Sequence, residues 1–365
     1  MKLETLSVMK CFLHIGTAKT ATTTIQNFLD INRDSLLEKD YIYTKSAGKT
    51  NNRGLSASAY HLSRRDEFTK QLLIDSDAKL LKFQKQTIRN LTKEIATLNK
   101  DSSKSTIIFS SEHFQSRLTH IEEIERLREI IYSFGVTDIS VVVYLRRPAD
   151  IANSLYSTAI KTGGHRQYPP SPKHPSYNNL CNHKNTLEKF GTVFGESALI
   201  PRLFDKNEFI NGSIIDDLLN IFGIPNDDKY EVPKNLNESL SVVGVNLLRR
   251  INNTIPKWVD DKPNLVRANL VSYFARHFSD SKYVMPKRLY EAYDLEFQES
   301  NDWVRRKYFP DKKKMFSDHI IQEAKLSISE EELDRIANFI IDIWSAKQTR
   351  IMTLRKKNKN LKKKE

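Results

Sequence analysis

The stretch HIGTAKTATTTIQNF, from His14 to Phe28, combines a glycine, a lysine and several threonines where an apolar run gives way to a helical pattern. A phosphate site at the start of a helix needs a tight turn, available backbone N–H groups and a nearby cation. Gly16 supplies the turn and Lys19 the cation. Hydroxyl groups that can donate to the same anion belong to Thr17, Thr20, Thr22, Thr23 and Thr24.

An ordinary helix cap and a nucleoside triphosphatase loop both fit this stretch less well. Threonine is a common helix cap, but a cap uses one such residue and this stretch contains five. A nucleoside triphosphatase loop, GxxxxGK[ST], would need glycine at Ala21 and lysine at Thr22. No apolar run ends in the aspartate that usually holds magnesium in such enzymes. The loop is therefore predicted to bind phosphate without hydrolysing a triphosphate.

Two further polar clusters follow apolar runs. Glu112 and His113 come after STIIFS, and Arg146 and Arg147 come after DISVVVYL. In a parallel sheet the ligand lies beyond the carboxyl ends of the strands. We therefore expect all three clusters to meet at one edge of the sheet.

Short apolar runs that read as strands alternate with helical patterns along the first two hundred residues. The predicted strands are 10–15, 41–44, 105–110, 138–145 and 197–204. Because the stronger runs are apolar on both faces, they indicate an α/β protein whose P-loop-like parallel sheet is covered by helices on both faces.

The helical pattern predicts helices after the first loop, over 66–98, over 121–132, from Pro148 and over 214–222. Residues 161–182 are rich in proline, glycine and tyrosine and predict a long loop. We expect one domain over 1–348, mostly helical from about 235, followed by a basic tail at 349–365.

The net charge of +13 is unevenly distributed. Residues 350–365 hold eight basic residues and one acidic residue, so they carry +7 and the rest of the chain +6. We expect this tail to be a frayed or disordered helix end that aids solubility, or that makes weak contact with an anionic membrane or nucleic acid. The remaining excess suits a protein that handles anionic ligands.

Composition and short motifs indicate the cellular compartment and exclude several classes of site. Cys11 and Cys181 alone make a poor disulfide framework and indicate a reduced compartment. No apolar run approaches the roughly 18–20 residues of a membrane span, and the N-terminus lacks a signal-peptide layout. These features predict a cytoplasmic protein. Neither CxxC nor HExxH occurs, so no metal site is predicted.

The sequence resembles the sulfotransferases that use 3′-phosphoadenosine 5′-phosphosulfate (PAPS). HIGTAKTATTTIQ resembles their 5′-phosphosulfate loop, with Ala18 and Ala21 where proline and glycine are common. VVVYLRRPADIANSLY resembles their 3′-phosphate segment, in which a strand-end arginine is followed eight residues later by a helical serine, here Arg146 and Ser154. Fainter likeness to bacterial members, through SSEHF, NLNESLS and FQESNDWVRRKYF, extends the resemblance over roughly residues 10–310.

The resemblance implies a transfer of sulfate from PAPS to a hydroxyl of a carbohydrate or glycolipid, leaving adenosine 3′,5′-bisphosphate and requiring no metal. It assigns Lys19 to the bridging oxygen of the leaving nucleotide. An acceptor hydroxyl also needs a base. Glu112 is the favoured candidate, since related carbohydrate sulfotransferases use a carboxylate, and His113, His61 and His165 are alternatives.

The roles of Arg147 and of the 161–182 loop stay open at this point. Arg147 either binds phosphate or pairs with Asp150, and the pairing is the slightly favoured interpretation. The 161–182 loop is a candidate lid over the acceptor cleft. Its side chains that could stack on sugar rings are Tyr168, His174 and Tyr177.

Two further functions compete with the sulfotransferase hypothesis. If the chain were a P-loop nucleotide or small-molecule kinase, it would bind ATP in a magnesium-dependent way. The missing Gly-Lys pair argues against this hypothesis. A non-enzymatic binder of anions or nucleic acid predicts an affinity that falls steeply with salt and depends on the basic tail.

Overall fold

The computed structural model describes residues 9–99, 105–233, 239–260, 262–268, 270–279, 281–317 and 328–361. These residues group into two compact units. The first unit contains the described residues within 1–151, 171–234 and 293–318, and the second those within 152–170, 235–292 and 319–365. The partition into one domain over 1–348 remains a prediction.

A five-stranded parallel sheet forms the centre of the first unit, in the order β2-β3-β1-β4-β5. Its strands are β1 Met9–His14, β2 Tyr41–Tyr43, β3 Thr106–Ser110, β4 Val136–Leu145 and β5 Leu199–Leu203. Each corresponds to one of the predicted strands. The prediction of an α/β protein with a parallel sheet is therefore confirmed.

Helices make up most of the remaining structure. They are α1 Thr22–Ile31, α2 Arg33–Leu37, α3 Arg53–Ser58, α4 Glu67–Gln71, α5 Asp77–Leu98, α6 His113–Arg117, α7 Ile121–Tyr132, α8 Pro148–Lys161, α9 Pro175–Cys181, α10 His183–Phe194, α11 Ile214–Phe222, α12 Val242–Thr254, α13 Leu270–His277, α14 Lys287–Glu296, α15 Gln298–Tyr308 and α16 Glu330–Leu361. Short 3-10 segments lie at Glu196–Ala198, Ile210–Gly212 and Leu265–Arg267.

Three predictions about these helices were wrong in part. The single helical stretch over 66–98 is two helices, because Leu73 adopts a left-handed φ of 56° and Ser76 then caps α5. The predicted loop 161–182 contains α9, which begins at Pro175, a favourable first helical residue. The basic tail is not frayed over its described part, since α16 is continuous to Leu361. Its last four residues lie outside the described ranges.

Both faces of the sheet are covered by helices, since alternate strand residues enter two separate apolar clusters. One face of β4, with Val141 and Val143, packs with residues of α3, α5, α7 and α10. The other face, with Val142 and Tyr144, packs with residues of α1, α2 and α11. This burial fixes the strands, and through them the loops at their carboxyl ends.

The loop after β1 stays attached to its neighbours beyond the end of the strand. The Ile15 amide donates to the Val142 carbonyl at 3.0 Å, and Gly16 and Thr17 exchange backbone hydrogen bonds with Tyr144. On the other side, the Ser111 amide donates to the His14 carbonyl at 3.0 Å. The three predicted polar clusters therefore begin side by side at one edge of the sheet.

The second unit is helical, with a small antiparallel hairpin of β6 Trp258–Val259 and β7 Lys262–Pro263. Asn252 of α12 donates to the carbonyls of Ile160 and Gly164, both at 2.7 Å, and accepts from Arg267 at 2.5 Å. Of the helices described in either unit, none is long and apolar enough to cross a membrane.

Candidate active site

The loop after β1 turns through three residues with positive φ. They are Gly16 at 99°, Lys19 at 68° and Ala21 at 54°, and the Gly16–Thr17 peptide bond is cis. Ala21 lies at the N-cap position of α1 in the left-handed conformation. Glycine adopts this conformation without penalty whereas alanine does not, which is a physical reason for glycine being common at this position in the resembling loops.

The N-terminus of α1 has no side-chain cap, so the interpretation of its threonines as ordinary caps is wrong. The first amides of a helix have no intrahelical acceptor, and an anion can take that place. Thr22 is buried at this end of the helix, Thr24 is half-buried and Thr23 is exposed.

Two predicted hydroxyl donors are instead used to build the loop. Thr17 donates to the Tyr144 carbonyl at 3.1 Å, and Thr20 donates to the Thr17 carbonyl at 2.6 Å. Both side chains are fully buried. Their hydroxyls stabilise the path of the chain around the half-buried Lys19.

Arg146 joins the end of β4 to this loop. Its Nη1 donates to the Lys19 carbonyl at 2.7 Å, and its guanidinium lies 5.4 Å from the centre of the Phe204 ring. A guanidinium presents its donors as a planar fork that matches the oxygens of a phosphate. Arg146 and Lys19 thus belong to one structural feature, which we call the cationic edge.

His183 supports the backbone of the cationic edge, and sequence reasoning missed this residue. Its Nε2 donates to the Arg146 carbonyl at 2.7 Å, and the ring is fully buried. Burial lowers the pKa of His183 to about 4, although the bond to the carbonyl opposes this shift. The ring is therefore neutral at pH 7 and supports Arg146 without adding charge.

Glu112, after β3, lies directly against the first loop. A Cβ atom added to Gly16 would be 3.2 Å from Glu112 Cα, so only glycine allows this approach without displacement. Glu112 Oε2 accepts from Gln26 Nε2 and from Asn51 Nδ2, each at 3.0 Å. The carboxylate is thus fixed by two amides at the edge of the sheet.

The neighbourhood of Glu112 favours its ionised form. Burial alone would raise the pKa of this carboxyl, but His113 and the hydrogen bonds from Gln26 and Asn51 hold it below its ordinary value. His113 Nε2 lies 3.6 Å from Glu112 Oε1. Burial, helped by Arg53 and by Arg117 of α6, outweighs Glu112 and lowers the pKa of His113 to about 4. A carboxylate therefore faces a neutral imidazole at pH 7.

Gln26, Asn51 and Asn52 were also missed by sequence reasoning. Asn51 accepts from Ser111 Oγ at 2.6 Å, and Asn52 accepts from the Ser110 amide at 2.8 Å. The available signal was the polar segment KTNNRG soon after the predicted strand 41–44. Because β2 neighbours β3, a segment after β2 reaches the same edge.

The other predicted residues have different surroundings. Arg147 pairs with Asp294 at 2.9 Å and lies 5.8 Å from the Phe316 ring centre, so it has a partner that the sequence did not suggest. Ser154 is half-buried on α8, six residues after Pro148. Four further candidates have exposed side chains: His61, His165, Tyr168 and His174.

Tyr177 lies in α9, half-buried, with its ring 6.1 Å from that of Tyr293. His61 Nδ1 lies 2.7 Å from Ser63 Oγ. The NLNESLS segment at 235–241 falls mostly outside the described residues. Over the ranges that are described, no group of three or more histidine, cysteine or acidic side chains is arranged to hold a metal ion.

Comparison with known proteins adds two similarities. No protein-family model matches the chain. A protein of Archaeoglobus fulgidus, described only as uncharacterized, is 28% identical over 206 residues, which are 56% of this chain and 54% of that protein. The chain thus spans about half the length of this curated relative. The crystal structure of a sulfotransferase from Alicyclobacillus acidocaldarius is similar with a TM-score of 0.35 and 14% identity, over 72% of this chain and 94% of that one.

Proposed function

We propose that this chain is a sulfotransferase that moves a sulfuryl group from PAPS to a hydroxyl of a carbohydrate or glycolipid. The observation that carries the proposal is the convergence of the two segments that resemble sulfotransferase phosphate motifs. Arg146 of the second segment donates to the backbone of Lys19 in the first, at 2.7 Å. Glu112, from a third strand end, lies against the same loop.

The donor is expected to use two anion positions. The uncapped start of α1 and Lys19 would hold the 5′-phosphosulfate, since helix N-termini and lysines both favour phosphate groups. Arg146 would fork onto the 3′-phosphate, which is the role that the resembling motif gives to its strand-end arginine. Two positions on separate strand ends suit a nucleotide with two separated phosphates better than a triphosphate.

The reaction we propose is an in-line displacement at sulfur. The acceptor oxygen forms a new bond to sulfur while the bond from sulfur to the bridging phosphate oxygen breaks. Negative charge builds on that bridging oxygen, and the Lys19 ammonium would stabilise it more in the transition state than in the ground state. The products are the sulfated acceptor and adenosine 3′,5′-bisphosphate.

The proton of the acceptor hydroxyl is assigned to Glu112. Its Oε2 already accepts two amide hydrogen bonds, and its Oε1 lies on the His113 side. The depressed pKa keeps the group ionised at neutral pH, as a general base requires. His113 is the second candidate, because its ring is neutral and its buried Nδ1 has no hydrogen-bond partner among the described residues.

Calorimetric titration tests the donor assignment. The chain is titrated with adenosine 3′,5′-bisphosphate and, separately, with ATP and magnesium. We expect saturable binding of the bisphosphate and much weaker binding of magnesium-ATP. Saturable binding of magnesium-ATP with none of the bisphosphate would overturn the proposal in favour of a kinase.

A further inference from the structure

Helix α16 carries a row of exposed apolar side chains along one side. Trp344 is 66% exposed and Ile340 is 58% exposed. The opposite side packs within the second unit, where the Phe339 ring lies 4.6 Å from that of Phe274 of α13. Asp342 also accepts from His277 Nε2 at 2.8 Å. Large apolar groups on the open side suggest a surface that binds another molecule.

The open side has the spacing of a coiled-coil seam. Steps of four and three residues alternate along Leu333, Ala337, Ile340, Trp344, Lys347, Ile351 and Leu354. Such a heptad pattern keeps one stripe of a helix facing a partner helix. All seven residues are exposed. We call this stripe the α16 seam.

We propose that the α16 seam binds the same helix of a second copy of this chain, in antiparallel orientation. We place the twofold axis that relates the two antiparallel helices between residues 345 and 346. Seam residues of the two copies then meet in complementary pairs. Ala337 faces Leu354, Ile340 faces Ile351, and Trp344 faces Lys347. A small residue thus opposes a large one, and the lysine lies beside an indole ring. Twofold symmetry gives each pair twice.

Charge supports the antiparallel direction. The first five residues of α16 include four acidic ones, whereas from residue 344 to 361 there are six basic residues and no acidic one. Antiparallel pairing brings the acidic end of each helix to the basic end of the other. In particular, Asp334 and Arg355 lie on the same flank of the seam and face each other across the pair. Parallel pairing would bring like charges together at both ends.

An anionic membrane is the main competing partner, and it fits only half of the seam. The basic residues after 344 would be attracted to acidic lipids. The seam, however, extends to Leu333 among acidic residues that such a surface would repel. A second copy satisfies both halves at once.

Cysteine cross-linking in the full-length chain tests the pairing. The native cysteines, Cys11 and Cys181, are buried and do not interfere. In the double variant with Ile340→Cys and Ile351→Cys, we expect oxidation to give a covalent dimer. Either single variant should stay monomeric on a non-reducing gel. The introduced cysteines of the two copies would be about 16 Å apart along the helix axis, which is too far for a disulfide. Dimers from either single variant would overturn the antiparallel assignment.

A charge exchange tests the same pairing without cysteines. Sedimentation should give twice the chain mass of 42.4 kDa for the unmodified protein. Asp334→Arg and Arg355→Asp should each weaken association about tenfold or more, and the two changes together should restore it. Ser345→Asp, on the same helix but outside the seam, is the matched control and should change nothing. A chain that remains monomeric at every concentration, with or without binding to phosphatidylserine vesicles, would overturn the proposal.

Discussion

The cationic edge and the α16 seam are built on opposite principles. At the cationic edge and at the neighbouring Glu112, polar groups are fixed by hydrogen bonds between distant parts of the chain. Arg146 donates to the Lys19 carbonyl, and Gln26 and Asn51 donate to Glu112. On the α16 seam, apolar groups repeat along an exposed helix face whose other side alone is packed. Fixed polar groups in a small area suit a small anionic ligand. A long stripe of apolar side chains at heptad spacing suits a partner helix with the same spacing.

Among the substitutions at the candidate active site, Glu112→Gln is expected to have the largest effect on activity. This change removes the proposed base while keeping the shape of the side chain and an acceptor oxygen for one amide. We expect sulfuryl transfer to fall by roughly 10²- to 10⁴-fold with little change in nucleotide affinity. Transfer of labelled sulfate from PAPS is measured against a panel of acceptor sugars and glycolipids.

His113→Gln is the matched control for Glu112→Gln. It removes the alternative base next to the same carboxylate. If His113→Gln abolishes transfer and Glu112→Gln does not, the assignment of the base is reversed.

Lys19→Ala is expected to have the next largest effect. Loss of one electrostatic donor to the leaving group typically costs about 10²- to 10³-fold in turnover. Initial rates of transfer at saturating PAPS measure this effect. Lys93→Ala, which removes an exposed lysine from α5, controls for the loss of one positive charge. Equal rates for the two variants would contradict the role of Lys19.

Acid should destabilise the first unit through its buried histidines. Burial lowers the pKa values of His14, His113 and His183 to about 4, from an ordinary value of 6.5. Between these two values the unfolded chain binds more protons than the folded one. Stability should therefore be complete above pH 6.5 and fall as the pH drops toward 4, by up to about 1.4 kcal/mol per pH unit for each histidine.

Urea unfolding at several pH values between 7 and 4.5 measures this dependence. His183→Gln should make the decline shallower by about one proton, because the glutamine does not titrate. A free energy of unfolding that does not change over this pH range would show that these rings are not held neutral.

The smallest effect concerns the turn before α1. Ala21→Gly should stabilise the fold by about 1 kcal/mol, because glycine adopts the left-handed conformation without the alanine penalty. It should also tighten binding of adenosine 3′,5′-bisphosphate, since a methyl group no longer stands beside the anion. Thermal unfolding and calorimetry measure the two effects. Ala18→Gly, in the same loop at a position without positive φ, should instead destabilise slightly.

The sequence predicted the sheet well because its strands are local and strongly apolar. Each strand forms from a run of a few residues, and the polar clusters follow at their carboxyl ends. The loop after β1 was identified for the same reason, since Gly16 and Lys19 are neighbours in sequence. Such short-range patterns do not depend on knowing which parts of the chain meet.

The supporting residues could not be predicted because they act over long distances in sequence. Asn51 and Glu112 are 61 positions apart, and Gln26 and Glu112 are 86 positions apart. An asparagine in a polar segment has no pattern that identifies its partner. The use of the Thr17 and Thr20 hydroxyls inside the loop was missed in the same way, since it depends on the backbone path.

The central claim is that the cationic edge holds two separated phosphates, with Lys19 at one and Arg146 at the other. Calorimetry with three ligands tests it most directly: adenosine 3′,5′-bisphosphate, adenosine 5′-monophosphate and adenosine 3′-monophosphate. Each is titrated into the unmodified chain, Lys19→Ala and Arg146→Ala. The predicted loss per phosphate contact is about tenfold, as expected for a charge-assisted hydrogen bond.

Lys19→Ala should weaken the two ligands that carry a 5′-phosphate and spare the 3′-monophosphate. Arg146→Ala should weaken the two that carry a 3′-phosphate and spare the 5′-monophosphate. If both variants weaken all three ligands equally, Arg146 acts only by holding the Lys19 loop, and the claim of two phosphate positions is contradicted.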